Sequence, residues 1–373
     1  MLNETYDFYF LHFPQTKRLF SIFKKYDIEA RFVGGCVRDA IIEKHTDDFD
    51  IAVKFDILEL KSILETDGVL VIPTGIKYGS ITVIIDRVKF EITSLRMDFD
   101  CSGRACKTKQ SSSFEGDAKR RDFTMNALYV SESGELFDYF NGIEDLKKRD
   151  VIFIGNPKER IEEDYLRIFR YYRFAARFCD LSDRYSDIIK GDAANVGKLS
   201  IERTQKELLL TINEKCSLEI FKLVKNNGVF NDLDIDLYSK LLKISNDVSH
   251  ELRAYILFGY EVIIHKFSLS KDFKKIIKQF KNFESESLIY CAYKFGVDFM
   301  NAIKILKQVK FDIYEEIPQL TIFPQFPIEF KDLPKNISFA ARKLRACEKW
   351  WVNNKFEKTK EECLKFVDIN PNF

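Results

Sequence analysis

Two aspartates set two residues apart, Asp48 and Asp50, follow a glycine pair, Gly34-Gly35, and an arginine, Arg38. Residues two apart on a strand share a face. In the run Asp48-Phe49-Asp50-Ile51-Ala52-Val53 both carboxylates can therefore converge while Phe49 and Ile51 face a core. Paired glycines after a strand let the backbone approach a ligand closely. N–H groups opening the next helix suit phosphate oxygens, and the Arg38 guanidinium adds a fork that fits phosphate. Two carboxylates beside a phosphate cradle describe a Mg2+ site for phosphoryl or nucleotidyl transfer. Either motif alone is commonly a turn or a solvated loop; the order and spacing together carry the reading. The run Gly34-Gly35-Cys36-Val37-Arg38-Asp39 is neither a G-x-G-x-x-G fingerprint nor a P-loop.

The elements that must position these groups follow from apolar spacing. Residues 1–27 read as helical around Pro14, and Ile28 to Val33 as a strand ending in the glycines. Asp56 to Thr66 is an amphipathic helix with Asp56 as N-cap. Val69–Ile72, Ser80–Ile85 and Val88–Thr93 are strand candidates, the last two joined as a hairpin at Asp86-Arg87. Glu91, between Phe90 and Ile92, points away from both; it is either a third carboxylate for the metal site or an exposed strand residue. Arg96 to Gly116 is long, polar and without periodicity, and reads as a functional or disordered loop. It leads into Lys119-Arg120-Arg121, an anion-site candidate that Asp122 and Asn126 can orient, on a helix face pinned by Phe123, Ala127 and Leu128. Asp138 and Gly142 fall in a turn after a short strand, Leu136–Phe140.

From Glu159 onward apolar spacing is helical, and no proline occurs between Pro157 and Pro318. One helix is read as running from Glu163 to Phe174. On it Asp164, Arg167, Arg170 and Arg173 recur every three residues as a slowly drifting stripe. Such a stripe is commonly a salt-bridged surface, but three arginines exceed the acids beside them. An Asp–Arg pair offers acceptors and donors in fixed positions, as reading a base edge requires. Ser200 reads as the N-cap of a further helix whose charges can brace the stripe. Near the end, Lys331, Lys335, Arg342, Lys343, Arg345 and Lys349 stand beside Trp350 and Trp351. This is either a solvated basic face or a grip on an RNA backbone.

Bulk properties narrow the class. The chain has 373 residues, 46% hydrophobic and 31% charged, as in a soluble globular protein of several domains. A net charge of +1 means any nucleic-acid contact comes from local patches rather than a global field. No apolar run is long enough for a bilayer, and the N-terminus lacks a basic n-region, so a cytoplasmic protein is expected. The 8 cysteines show no CxxC pair and are read as reduced thiols. The 4 histidines form no metal motif.

These blocks, in order, resemble the class II tRNA nucleotidyltransferases, the CCA-adding enzymes related to bacterial poly(A) polymerases, within the polymerase-β-like superfamily. The resemblance covers about residues 28–210 and rests on GGCVRD…DDFD, RRDFTMNAL, Asp138…Gly142, EEDYLRIFRYYRF and SIERTQKELL. It implies an α+β head, a mixed sheet with helices, followed by an all-α neck, body and tail. The corresponding spans are 1–150 for the catalytic head, 151–215 for a neck that recognises the base, and 216–373 for a body and tail that bind tRNA. It further implies template-independent addition of C, C and A to the tRNA 3′ end from CTP and ATP with Mg2+. No membrane and no obligate protein partner is expected. Carried over by residue, Asp48 and Asp50 would bind the metal; Glu91, from its place on the strand candidate Val88–Thr93, joins them as a catalytic candidate. Gly34, Gly35 and Arg38 would hold the triphosphate, and Arg121 the nucleotide side of that pocket. Asp164 and Arg167 would read the base, with Arg170 and Arg173 along phosphates and sugar. The segment Arg96 to Gly116 would be the element that switches from C to A. A poly(A) polymerase, or an enzyme that adds only CC or only A, is the alternative. No appended phosphohydrolase motif is visible, so no hydrolase activity is expected.

Overall fold

The structure is a computed structural model that describes residues 6–102, 105–110, 113–315, 323–333 and 339–369, residues 96–110 by their backbone only. Two compact units are present, Met1–Val229 and Phe230–Phe373.

The first unit begins with a short helical turn, Tyr9–His12, and α1 (Pro14–Lys25), whose first-turn proline fits the one place where a missing N–H costs nothing. Next come β1 (Ala30–Val33), α2 (Gly35–Ile41), β2 (Phe49–Val53) and α3 (Ile57–Thr66). Asp56 caps α3 as its sequence foretells, accepting from the N–H groups of Leu58 and Glu59. Then follow β3 (Leu70–Gly75), β4 (Ser80–Ile85) and β5 (Val88–Ser94). Ile85 pairs with Val88 across a two-residue turn in which Asp86 and Arg87 both take positive φ, the twist a tight hairpin needs.

The segment read as an irregular loop is instead a second hairpin, β6 (Arg96–Ser102) and β7 (Ala105–Gln110), paired antiparallel as its own two-stranded sheet. Its polar composition hides it, because strands are read from apolar alternation and a mostly polar segment offers little of it. The side chains of Cys101 and Cys106 lie outside the described residues. After α4 (Phe114–Lys119) the chain makes one tight turn at Thr124–Asn126 and enters β8 (Leu128–Val130) and β9 (Leu136–Asp138). Phe123, Ala127 and Leu128 are buried as expected, but on a turn and strand rather than on a helix face.

The main sheet runs β3-β4-β5-β2-β1-β8-β9. β2 and β5 are parallel and the other described pairs antiparallel. One face carries an aromatic core: Phe10 and Phe20 against Phe32, and Phe49 against Phe10 and Phe90. The alternate residues Val33 and Ala52 face a second cluster with Leu95, Phe114, Ala118, Tyr129 and Ile154.

Helices complete the first unit: α5 (Gly142–Lys148), α6 (Pro157–Glu163), α7 (Leu166–Phe178), α8 (Ser186–Asp192), α9 (Ile201–Thr211) and α10 (Ser217–Asn226). The helix expected from Glu163 starts only at Leu166; Asp164 has extended backbone between α6 and α7, and its Oδ1 accepts the Leu166 N–H. Ser200 occupies the N-cap position of α9, but its side chain makes no capping hydrogen bond. Cys179 and Cys216 form a disulfide with Cα atoms 5.4 Å apart, so the expectation of thiols throughout is wrong for this pair. Packing of α7 on α10 brings them together across 37 residues, a proximity no local pattern encodes.

The second unit is helical: α11 (Ile235–Ile244), α12 (His250–Glu261), α13 (Lys271–Phe283), α14 (Leu288–Phe295), α15 (Val297–Phe311), α16 (Ala340–Asn353) and α17 (Lys360–Ile369). The tryptophans on α16 serve its core: Trp351 is buried and Trp350 stacks on Phe366. Of the basic residues there, Lys343 is buried and reaches the Val367 carbonyl, and Lys349 pairs with Glu286. Lys335 lies outside the described residues.

Candidate active site

Gly34 closes β1 with φ +78°, a value that L side chains rarely adopt, so glycine is required by the backbone alone. A Cβ there would also stand 3.4 Å from Arg121 Nη1 and 3.8 Å from Asp50 Oδ2, which shows how closely these two side chains converge on the glycine. Gly35 opens α2, and a Cβ on it would lie 3.8 Å from Arg38 Nη2.

These residues line a cavity of about 420 Å³, together with Asp48, Asp50, Arg170 and Arg173. The sheet thus brings the glycine pair and the aspartate pair to one place, and α7 delivers its arginines to the same place. Asp48 sits just before β2 and is exposed; Asp50 lies on β2, half-buried. Burial, then the neighbouring charge of Asp48, push the Asp50 carboxyl up to about 6; Arg121 pulls it back and Glu91 adds to the rise. Glu91 stands beside Asp50 in the parallel β2–β5 register and on the same face, outside the cavity lining, with its carboxylate held by Lys89 at 2.6 Å.

A buried polar network supports the cavity from behind. Arg38 is 4% exposed, donates to Asp39 at 2.9 Å and to Asn126 at 2.5 Å, and sits 5.1 Å from the Phe174 ring centroid. Asp39 also takes Arg177 at 3.0 Å. The Asn126 amide donates to Asp122, whose other oxygen holds Arg170 at 2.7 Å. Burial pushes the Asp122 carboxyl up, but the Arg170 charge and the hydrogen bonds from Asn126, Arg170 and the Phe123 N–H outweigh it and hold it at about 2. Glu207 on α9 lies 3.0 Å from Arg173 and 3.8 Å from Arg170. So α9 braces the arginine helix, and Asp122 and Glu207 account for the apparent excess of arginines. Arg121 is fixed by Asp117 and Tyr129.

Asp164 and Arg167 lie elsewhere. Asp164 is bonded to Arg203 of α9, and Arg167 to Glu163 and the Arg160 carbonyl. Neither lines the cavity that Arg170 and Arg173 enter. Arg167 is one helical turn from Arg170, roughly 5 Å along the axis. Residues missed by the sequence reading also line the cavity: Thr46, Arg177 and Glu214. Arg177, four residues past Arg173, could have been found by extending the stripe; Glu214 lies between α9 and α10 and carries no local signal. The Asp138 carboxylate caps α5 by accepting from the Gly142 and Ile143 N–H groups. A Cβ on Gly142 would lie 2.3 Å from the Thr124 carbonyl oxygen, so only glycine fits.

Residues 30–152 match the family described as the poly(A) polymerase head domain. Human mitochondrial CCA tRNA nucleotidyltransferase 1 is 29% identical over 394 residues, spanning 94% of this chain and 89% of that protein. A CCA-adding enzyme of Limosilactobacillus reuteri is 38% identical over 183 residues, 48% of this chain and 44% of its own. The head of the chain, residues 30–152, thus matches the poly(A) polymerase head-domain family, and the chain is similar to CCA-adding enzymes. The fold is shared with the Bacillus stearothermophilus CCA-adding enzyme in complex with CTP, at a TM-score of 0.73 and 20% identity over 96% of this chain and 98% of that one.

Nucleotidyltransferases of this family generally use a divalent metal, and the residues here fit one. Among the described residues no cluster of three His, Cys, Asp or Glu side chains is arranged to hold a metal, but Asp48 and Asp50 form a carboxylate pair with Asp50 burdened by its own charge. Mg2+ keeps waters and substrate oxygens as ligands, so such a pair is sufficient. Five arginines and five carboxylates line the cavity, so it is close to neutral without a cation. Divalent charge on the aspartates would turn it positive, as a triphosphate requires. No described helix is long and apolar enough to cross a membrane.

Proposed function

We infer that this chain is a template-independent CCA-adding tRNA nucleotidyltransferase, transferring C, C and A from CTP and ATP to tRNA 3′ ends. The observation that carries the reading is the single cavity in which a glycine-made anion cradle, a carboxylate pair and the arginines of α7 meet. The two CCA-adding relatives support the choice of reaction.

In this reading Asp48 and Asp50 hold Mg2+, with Glu91 shaping the charge on Asp50. When bound, two such ions lower the pKa of the attacking 3′-hydroxyl and take up charge on the pyrophosphate leaving group. Gly34 and Gly35 leave room for the phosphates, Arg38 and Arg121 face them, and Arg170 and Arg173 run along phosphates and sugar. No histidine base is required. Asp164 and Arg167 read the base edge once a nucleotide is in place, which asks them to exchange their present partners Arg203 and Glu163. The head, 1–150, supplies chemistry; the neck, 151–215, supplies base choice; the body and tail, 216–373, hold tRNA. We place the protein in the cytoplasm, although the human relative is named as mitochondrial.

Incubation of CCA-less tRNA with CTP and ATP, followed by sequencing of the 3′ ends, tests this. Three added residues and a stop are expected. A long A tail on oligo(A) would instead assign the chain to poly(A) polymerases, and CC or A alone to a partial enzyme. Asp48→Ala should abolish transfer of both nucleotides while the fold persists; normal transfer in that variant would end the mechanism.

A further inference from the structure

The connection between α2 and β2, residues 42–48, ends at Asp48 and has no regular structure. Near its start, the Lys44 N–H bonds the Asp39 carbonyl at 2.8 Å. Beyond that point side chains set the path. The Tyr9 hydroxyl donates to the Thr46 carbonyl at 3.0 Å and accepts from the Thr46 N–H at 2.8 Å. Both polar groups of one residue's backbone are thus fixed by one phenol. Thr46 in turn accepts the Asp48 N–H on its Oγ1 at 3.2 Å. A short relay, Tyr9 to Thr46 to Asp48, therefore leads from the N-terminal turn to the first aspartate.

The same turn holds the motif a second time. Phe10 within that helical turn and Phe13 just after it pack on Phe49 at centroid separations of 5.8 and 5.9 Å. Phe49 is the residue between the two aspartates. The Tyr9 ring is itself enclosed by Phe10, Phe13 and His45. Burial raises the Tyr9 hydroxyl pKa, so it keeps the proton it donates. Tyr9, Phe10 and Phe13 lie before residue 30, where the match to the head-domain family begins.

We propose that Tyr9 is a positioning residue for the metal-binding aspartates, acting through the backbone of Thr46 to set the direction of Asp48. The proposal rests on the reading of Asp48 and Asp50 as metal ligands. Carboxylates that share an ion must meet it at about 2.0–2.1 Å for Mg2+. An exposed Asp48 on an untethered connection would sample many directions and lose affinity to entropy. Tyr9 removes that freedom in advance.

The test is Mn2+ binding by the full-length protein with CTP and no tRNA, so that nothing turns over, read from the electron paramagnetic resonance signal of the free ion. Tyr9→Phe keeps the ring contacts and deletes both hydrogen bonds. It should weaken Mn2+ binding roughly 10-fold or more, as loss of a group that orients a ligand does, while CTP binding without the ion stays at the wild-type level. Thr46→Val removes the Oγ1 that accepts the Asp48 N–H and should also weaken Mn2+ binding; it decides the question if Tyr9→Phe fails to fold. Wild-type Mn2+ affinity in the folded variants, with or without a lower melting temperature, overturns the proposal and leaves Tyr9 a packing residue. Equal Mn2+ binding by wild type and Asp50→Asn would show instead that the aspartates are not the ligands, which overturns the metal reading and this inference with it.

Discussion

Asp50 shows most directly what the site costs the protein. Its folded pKa of about 6 lies above the ordinary aspartate value of 3.8. The protonated form is therefore favoured by folding, and the ionised form is penalised as pH rises from the unfolded value through the folded one. Above that window, without a cation, the penalty is complete and on the order of 3 kcal/mol. Asp50→Asn should therefore melt at a higher temperature than wild type at pH 7.5 in chelator, with the gap closing at pH 4 and on addition of Mg2+, while transfer is lost. Asp122 has the opposite sign. Its folded pKa of about 2 means its contribution is present above pH 4 and lost as pH falls toward 2. The acid limb of the unfolding curve should flatten in Asp122→Asn. For base choice, exchanging Asp164 and Arg167 should scramble CTP against ATP selection, since a lost base-edge pair costs roughly 1–3 kcal/mol of discrimination. An equal loss with every nucleotide would make the pair purely structural.

At the scale of elements, some features could be read from the chain and some could not. The α3 cap, the β4–β5 hairpin and the core residues of β2 follow from local chemistry: a short acid before an apolar helix, alternation, and a two-residue turn. The β6–β7 hairpin could not be read, because its sequence is mostly polar and offers little apolar alternation. The break between α6 and α7 was equally hidden; Asp164 fits a helical repeat, and only its bond to Arg203 on α9 shows why the chain departs from it. Shortening β6–β7 should spare addition of C and impair addition of A, measured by single-nucleotide incorporation; equal damage to both would argue against a switching role. The Cys179–Cys216 bond closes a span of 37 residues, so reduction should lower stability by about 4 kcal/mol on chain-entropy grounds. Melting with and without dithiothreitol, with Cys179→Ser as the control, measures it.

For the molecule as a whole, the cavity was legible where its parts are contiguous and illegible where the fold assembles them. Gly34, Gly35, Arg38, Asp48 and Asp50 fall within one strand–helix–strand unit, so their spacing discloses them. Arg177 and Glu214 join only because α7 and the α9–α10 turn close over that unit. The site is therefore a product of packing at a distance, and its most vulnerable point need not touch a substrate. Gly142 is such a point. A single added methyl there must displace the carbonyl of Thr124, two residues from the Asn126 side chain that steadies Arg38. A random search for inactivating changes should therefore recover position 142 as readily as the aspartates, with the lesion expressed as poor triphosphate capture by a protein whose chemical groups are all still in place.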